Sequence, residues 1–324
     1  MLRIRDFIET HDGLIFSAVS YSHPEDRYHA FLRYYPDVNG DRARNGERFK
    51  KVTSIEESFE FLEKNHPDHI FSSATGSKFQ CVPREKVSKV YHPDERLKEI
   101  LYRAKDELEE KVKKLSEAFV EVPTQKKGVT GSLLVDLHNP HSDIDFVIYG
   151  TKNHERARNR LRELLREGAE FRPLNRGEWF AAYEKRFPRY KTLSFEEFLW
   201  HEMRKCHKGV VGNTIFDVLL VRDFDEIGEE NHEENFERLG RIKTHCKVVD
   251  SSLAFDSPSI YKVDCRDDDR IKEVVSYTHT YAGQAFEGED IKVSGFLERV
   301  WGKAYRIVVG TTREARGEYI KVVI

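Results

Sequence analysis

The segment Asp143-Ile144-Asp145-Phe146-Val147-Ile148-Tyr149 constrains this chain more than any other stretch. Its apolar run reads as a strand, and in a strand residues two apart share a face. Asp143 and Asp145 therefore point one way, with Cβ atoms roughly 7 Å apart, while Ile144, Phe146 and Ile148 point the other way into a core. Two carboxylates on one face of an apolar strand repel, and each raises the other's pKa. A divalent cation removes that repulsion. Magnesium favours one or two carboxylates together with phosphate oxygens and water, and two such ions can clamp the attacking and leaving oxygens of an in-line displacement. The plainer alternative is a pair of aspartates at a solvent-exposed strand start.

What precedes the strand narrows the choice. Gly128-Val129-Thr130-Gly131-Ser132 reads as a strand, a turn and the start of a helix. Backbone N–H groups at such a terminus favour phosphate, glycine lets a ligand approach closely, and the Ser132 hydroxyl adds a donor. Ten residues, Leu133 to Ser142, separate this turn from Asp143.

Thr130-Gly131-Ser132, the spacer and Asp143-Ile144-Asp145-Phe146 together resemble the signature of the polymerase-β-like nucleotidyltransferase superfamily, with Thr130 where an apolar residue is usual. The resemblance covers roughly residues 95 to 225, and the layout around it is similar to uncharacterised archaeal predicted nucleotidyltransferases. It implies a third carboxylate on a later strand, and the matching residue is Asp217 in Thr214-Ile215-Phe216-Asp217-Val218-Leu219-Leu220-Val221, with Asp223 and Asp225 as rivals. Burying Asp217 without a partner costs several kcal/mol. Beside the first pair it becomes a metal ligand or the base for an acceptor hydroxyl.

The resemblance further implies a nucleoside triphosphate as substrate and two Mg²⁺ ions, with Mn²⁺ as an alternative. Asp143, Asp145 and Asp217 would be both the catalytic residues and the metal ligands. Gly131 and Ser132 would hold the β- and γ-phosphates. The implied reaction moves a nucleoside monophosphate to an acceptor hydroxyl.

The fold class expected is multidomain, α+β or α/β. A central mixed sheet with helices carries the nucleotidyltransferase core over 92–240. An N-terminal β-rich domain over 1–91 and a C-terminal small, OB-like β-barrel over 241–324 flank it. The spacing predicts a helix from Ser54 to Lys64 and one long helix from Pro93 to near Val122-Pro123, with Leu97, Ile100, Leu108, Val112, Leu115 and Phe119 on one stripe. Further helices are expected over His154–Gly168 and Ser194–Lys205, and a strand over Thr214–Val221.

Residues 151–210 carry fifteen Lys or Arg against nine Asp or Glu. Such a patch suits a triphosphate or a nucleic-acid backbone, and equally a solvated helix face. Arg204, Lys205 and Lys208, just before the Asp217 strand, are the triphosphate candidates. Tyr183, Phe187, Tyr190, Phe195, Phe198 and Trp200 would stack a base or build a core. Phe296, Trp301 and Tyr305 in the C-terminal barrel are candidates for binding single-stranded nucleic acid. The two flanking β domains favour a large acceptor, RNA above others. A non-catalytic nucleic-acid-binding protein with a relic fold, and a protein-modifying transferase, stay open.

The four cysteines are scattered and form no CxxC pair, which suits reduced thiols. No run approaches the ~18 apolar residues of a membrane span, and the first residues lack a signal peptide's apolar run, so a cytoplasmic protein is expected. Charged residues reach 34% with a net charge of −3, a composition that fits a thermophilic, archaeal source. Oligomeric state leaves no trace in the sequence.

Overall fold

The computed structural model describes residues 1–72, 78–228, 236–300, 305–311 and 315–323. The chain divides into two units, Met1–Arg172 with Gly209–His232, and Pro173–Lys208 with Glu233–Ile324.

The first unit opens with β1 (Phe7–Thr10), β2 (Ile15–Ala18), β3 (Arg27–Pro36), β4 (Arg42–Arg44), β5 (Glu47–Lys51), α1 (Ile55–Asn65), β6 (Ile70–Ser72), β7 (Lys78–Pro83) and β8 (Val87–Tyr91). The strands pair in the order β4-β5-β3-β2-β1-β8, with β7 also beside β3 and β6 beside β7. The hydroxyl of Ser54 caps α1, accepting from the Glu57 N–H at 3.0 Å, as its sequence requires.

The expected long helix is two, α2 (Pro93–Tyr102) and α3 (Glu107–Ala118). Asp106 interrupts it. Its carboxylate accepts from the Glu109 N–H at 2.9 Å and starts a new helix. The apolar stripe survives the break because both helices bury against the same sheet: Leu97, Ile100, Leu108, Val112, Leu115 and Phe119 share one core with Val129, Ile144, Phe146, Ile148, Phe216 and Val218.

That sheet is built from β9 (Lys127–Thr130), β10 (Ile144–Tyr149), β11 (Phe171–Arg172), β12 (Lys208–Val211) and β13 (Thr214–Val221) in the order β11-β12-β13-β10-β9. Between β10 and β11 runs α4 (Thr151–Glu167), closed by Gly168 in the left-handed region at φ 67°. Between β11 and β12 come α5 (Arg176–Arg186) and α6 (Phe195–Lys205), which belong to the second unit.

Residues 1–91 do not stand apart from the core, as a separate N-terminal domain would. Ile4 and Tyr21 pack on Val147, Tyr149 and Val221, the sheet face turned away from the helices. Phe7, Ile15, Tyr34 and Phe49 pack on Leu134, Val135 and Leu137, the segment that follows Gly131-Ser132. Apolar positions on both faces of the central sheet thus require a cover on both sides, and the N-terminal β module supplies the second one.

In the second unit α5 and α6 each start with a capping box, Asn175 with Glu178 and Ser194 with Glu197. Tyr183, Phe187 and Phe198 are buried, and Tyr183 lies 5.3 and 5.5 Å from the other two rings. They build a core. Tyr190 and Trp200 are exposed. The remaining strands are β14 (Phe236–Asp250), β15 (Ser259–Cys265), β16 (Ile271–Ser276), β17 (Asp290–Val300), β18 (Tyr305–Val309) and β19 (Tyr319–Val322). Their pairing runs β14-β15-β16-β18-β17 and returns to β14, with β19 added beside β17. Only the β16–β18 contact in this ring is parallel.

Cys246 and Cys265 sit opposite each other on β14 and β15 and form a disulfide. The expectation of four reduced thiols therefore holds only for Cys81 and Cys206. Strand register, which brings together residues 19 apart, decides this, and spacing alone does not reveal it. Trp301 lies outside the described residues. Among the described residues no helix is long and apolar enough to cross a membrane.

Candidate active site

β10 lies between β9 and β13, and its pairing on both sides assembles the site. Asp145 is the register partner of Asp217 across the parallel β10–β13 ladder and of Thr130 across the antiparallel β9–β10 ladder. Register partners share a face, on strands about 4.8 Å apart. Asp145 and Asp217 are therefore side by side on the face away from Phe146, Phe216 and Val218, both partly buried. Asp143 precedes β10 by one residue and is exposed. Clefts of about 340 and 390 Å³ lie elsewhere in this unit, one beside Phe171 and Val211 and one beside Glu9, Arg44 and Val135.

Gly131 follows β9 with φ at +69°, and a Cβ built there would stand 2.4 Å from Asp145 Oδ2. A side chain here is disfavoured on both counts: the left-handed backbone strains it, and the Asp145 carboxylate must give way to it. Gly131→Ala is expected to lower activity about a hundredfold by displacing Asp145, with the fold retained. Circular dichroism beside a turnover assay would check this; full activity in the folded variant would refute it.

The helix expected after Ser132 is absent. Residues 131–136 form consecutive turns, with Asp136 at φ 54°, and the Leu137 N–H closes them on the Ser132 carbonyl at 2.9 Å. Long-range contacts fix this path. Arg96 donates from Nε to the Leu133 carbonyl at 3.0 Å and from Nη2 to Asp136 Oδ1 at 2.5 Å, and is itself held by the fully buried Glu109 at 2.5 Å. Arg42 donates to the Leu137 carbonyl and to Ser142 Oγ at 3.3 and 3.2 Å, steadying the loop that leads into Asp143. Thr130, the departure from the apolar pattern, donates its hydroxyl to the Arg5 carbonyl at 2.7 Å.

Burial raises the Asp145 pKa above the usual carboxylate range, and the neighbouring charges of Asp217 and Asp143 push the same way, against Arg5 and Arg33. Three oxygen-donor side chains whose charges oppose one another suit a hard divalent cation, which would relieve that opposition. Among the described residues, however, no three His, Cys, Asp or Glu side chains are already gathered into a metal-holding cluster.

The rivals of Asp217 have other tasks. Asp223 pairs with Lys126 and lies 3.8 Å from Arg3. Asp225 falls in a short 3-10 turn that Asp223 and Glu226 cap. His138 meets Asp106 at 2.7 Å, and His141 is exposed.

Arg204, Lys205 and Lys208 belong to the second unit. Lys205 is fully buried, donating to Glu202 at 2.5 Å and to the Thr280 carbonyl at 2.9 Å, and burial lowers its pKa. Its ammonium is committed to the protein interior, which corrects its reading as a phosphate ligand. Arg204 pairs with Glu289 and lies over the Trp200 and Phe286 rings at 4.4 and 4.8 Å. Lys208 is half-buried at the start of β12. The cations that act on Asp145 are instead Arg5 and Arg33, which the sequence did not single out, since nothing in their spacing relates them to residues more than a hundred positions away.

Residues 105–228 match a family described as "Nucleotidyltransferase domain". Over 99% of its length the chain is 43% identical to "Uncharacterized protein MJ1086" of Methanocaldococcus jannaschii, and the match spans 99% of that protein. No solved structure matches the chain.

Proposed function

The chain belongs to the polymerase-β-like nucleotidyltransferase superfamily, in company with this uncharacterised archaeal protein, and from that premise we propose that it transfers a nucleoside monophosphate from a nucleoside triphosphate to a hydroxyl on RNA, with Mg²⁺ bound. One observation carries the reading: Asp145 and Asp217 face each other in register, and Gly131 leaves its missing side chain's space to the Asp145 carboxylate.

Asp143, Asp145 and Asp217 would hold Mg²⁺, two ions in the full site, and the metal, when bound, neutralises phosphate charge and favours in-line displacement. The turn at Gly131 and the hydroxyl of Ser132 hold the β- and γ-phosphates, where glycine permits the closest approach. Asp217 orients the acceptor hydroxyl and takes its proton. The hydroxyl oxygen bonds to the α-phosphorus as the bond from that phosphorus to the bridging oxygen breaks, and pyrophosphate leaves. Catalysis is chiefly positioning and charge compensation.

RNA is favoured as acceptor by the second unit. The closed strand order β14-β15-β16-β18-β17, with its one parallel contact, supports an OB-like barrel, a fold that accepts oligonucleotides on one face. Arg241, Lys243, His245 and Lys247 are exposed on β14, while Thr244 and Cys246 between them and Val248 beyond are buried. Arg238 and Arg241 lie over the Phe296 ring at 4.8 and 4.7 Å. A basic row with an aromatic ring suits a single strand's phosphates and bases.

The test is incubation of the chain with each of the four α-³²P-labelled triphosphates, Mg²⁺ or Mn²⁺, and total RNA. Label on RNA is expected. Label on polypeptide would make the chain a protein-modifying transferase. No label under either metal, with RNA still bound, would make it a non-catalytic RNA-binding protein.

A further inference from the structure

The N-terminal β module carries arginines to the nucleotide site by two unusual backbone features. Arg5 has φ +70°, a left-handed conformation that is strained for a side-chain-bearing residue. It is held there from both ends: its N–H donates to the Ala18 carbonyl at 3.1 Å, and its carbonyl accepts the Thr130 hydroxyl at 2.7 Å. Thr130 is the register partner of Asp145, so the strained residue is fixed at the edge of the carboxylate pair.

Arg33 is set by a different device. The β2–β3 pairing steps from Ile15↔Tyr34 to Phe16↔Leu32, which leaves Arg33 as the extra residue of a β-bulge. Bulges redirect a side chain out of the strand's alternation. The adjacent Tyr34 packs on Leu134, Val135 and Leu137, in the segment that follows Gly131-Ser132.

Arg5 is thus anchored beside Thr130, Arg33 lies at a bulge next to Tyr34, and the charges of both guanidinium groups bear on Asp145. Such a mixed set of charges suits a metal–triphosphate, whose phosphate oxygens need donors while its cation needs carboxylates. Resting on the nucleotidyl-transfer reading, we infer that Arg5 and Arg33 are the cations that grip the nucleotide's triphosphate over Gly131 and Ser132, so that the N-terminal β module forms part of the nucleotide site.

The test is calorimetric titration of the full chain with inorganic tripolyphosphate and with each nucleoside triphosphate, in the presence of Ca²⁺. Arg33→Ala and Arg5→Gly are each expected to weaken tripolyphosphate binding about tenfold, and together about a hundredfold, with Arg33→Lys in between. Glycine is chosen at position 5 because it keeps the positive φ, so the melting temperature should hold or rise as affinity falls. Parental affinity in both folded variants would overturn the inference, leaving the arginines as counter-charges for Asp145. If the parent chain binds neither tripolyphosphate nor any triphosphate, the nucleotidyl-transfer reading falls too; the two failures are distinct.

Discussion

Asp217→Asn is expected to transfer nucleotide at least about a thousandfold more slowly than the parent chain, while its melting temperature holds or rises. The two effects have opposite signs for one reason. Asp217 is the in-register neighbour of Asp145, and its charge contributes to the raised pKa there. Removing it relieves a repulsion in the unliganded protein and so favours the folded state slightly. On the proposed mechanism the same carboxylate holds the metal and takes the acceptor's proton, and losing one such preorganised group lowers turnover by about 10²–10³; loss of the proton acceptor adds to this. Single-turnover assays beside thermal melts would measure both. An asparagine variant as active as the parent would remove Asp217 from the mechanism and leave Asp143 and Asp145 without a third partner.

Glu109→Ala should destabilise the first unit by about 3–5 kcal/mol, a fall of roughly 6–20 °C in its unfolding transition. Glu109 is completely buried. It accepts from Arg96 Nη2 at 2.5 Å and from the Lys105 N–H at 2.7 Å. Its removal leaves the Arg96 guanidinium, 5% exposed, short of its innermost counter-charge. Glu99 and Asp136 also meet Arg96, at 2.9 and 2.5 Å, and hold the loss toward the lower end of that range. Because Arg96 anchors Leu133 and Asp136, the glycine turn should loosen along with the core, and triphosphate affinity should fall with stability. Calorimetry and nucleotide binding on the same samples would test the coupling. A loss below about 1 kcal/mol would place this ion pair with ordinary surface bridges.

Local signals were legible and distant ones were not. The strand over Thr214–Val221 falls where its apolar run places it, and the capping box of Ser194 and Glu197 marks the start of α6. The run from Asp143 to Tyr149 was readable as a strand from its apolar residues, and β10 begins one residue into it. Asp106, followed three positions later by Glu109, was a start signal inside an unbroken apolar stripe, and the stripe outweighed it. Other features depend on contacts between remote segments. Arg5 meets Thr130 across 125 positions, Cys246 meets Cys265 through strand register, and Lys205 is withdrawn into a core that its charged neighbours conceal. Composition describes a residue's type, and only the fold assigns its neighbours.

The packing of residues 1–91 on the central sheet bears on how such a protein can be inherited. A gene fragment starting at position 92 would encode Leu134, Leu137, Val147 and Val221 as bare apolar surface, where they are now 0–2% exposed. Such a fragment would aggregate rather than circulate among unrelated proteins as a self-sufficient cassette. The opening strands and the aspartate-bearing sheet are therefore bound to travel, duplicate and diverge together.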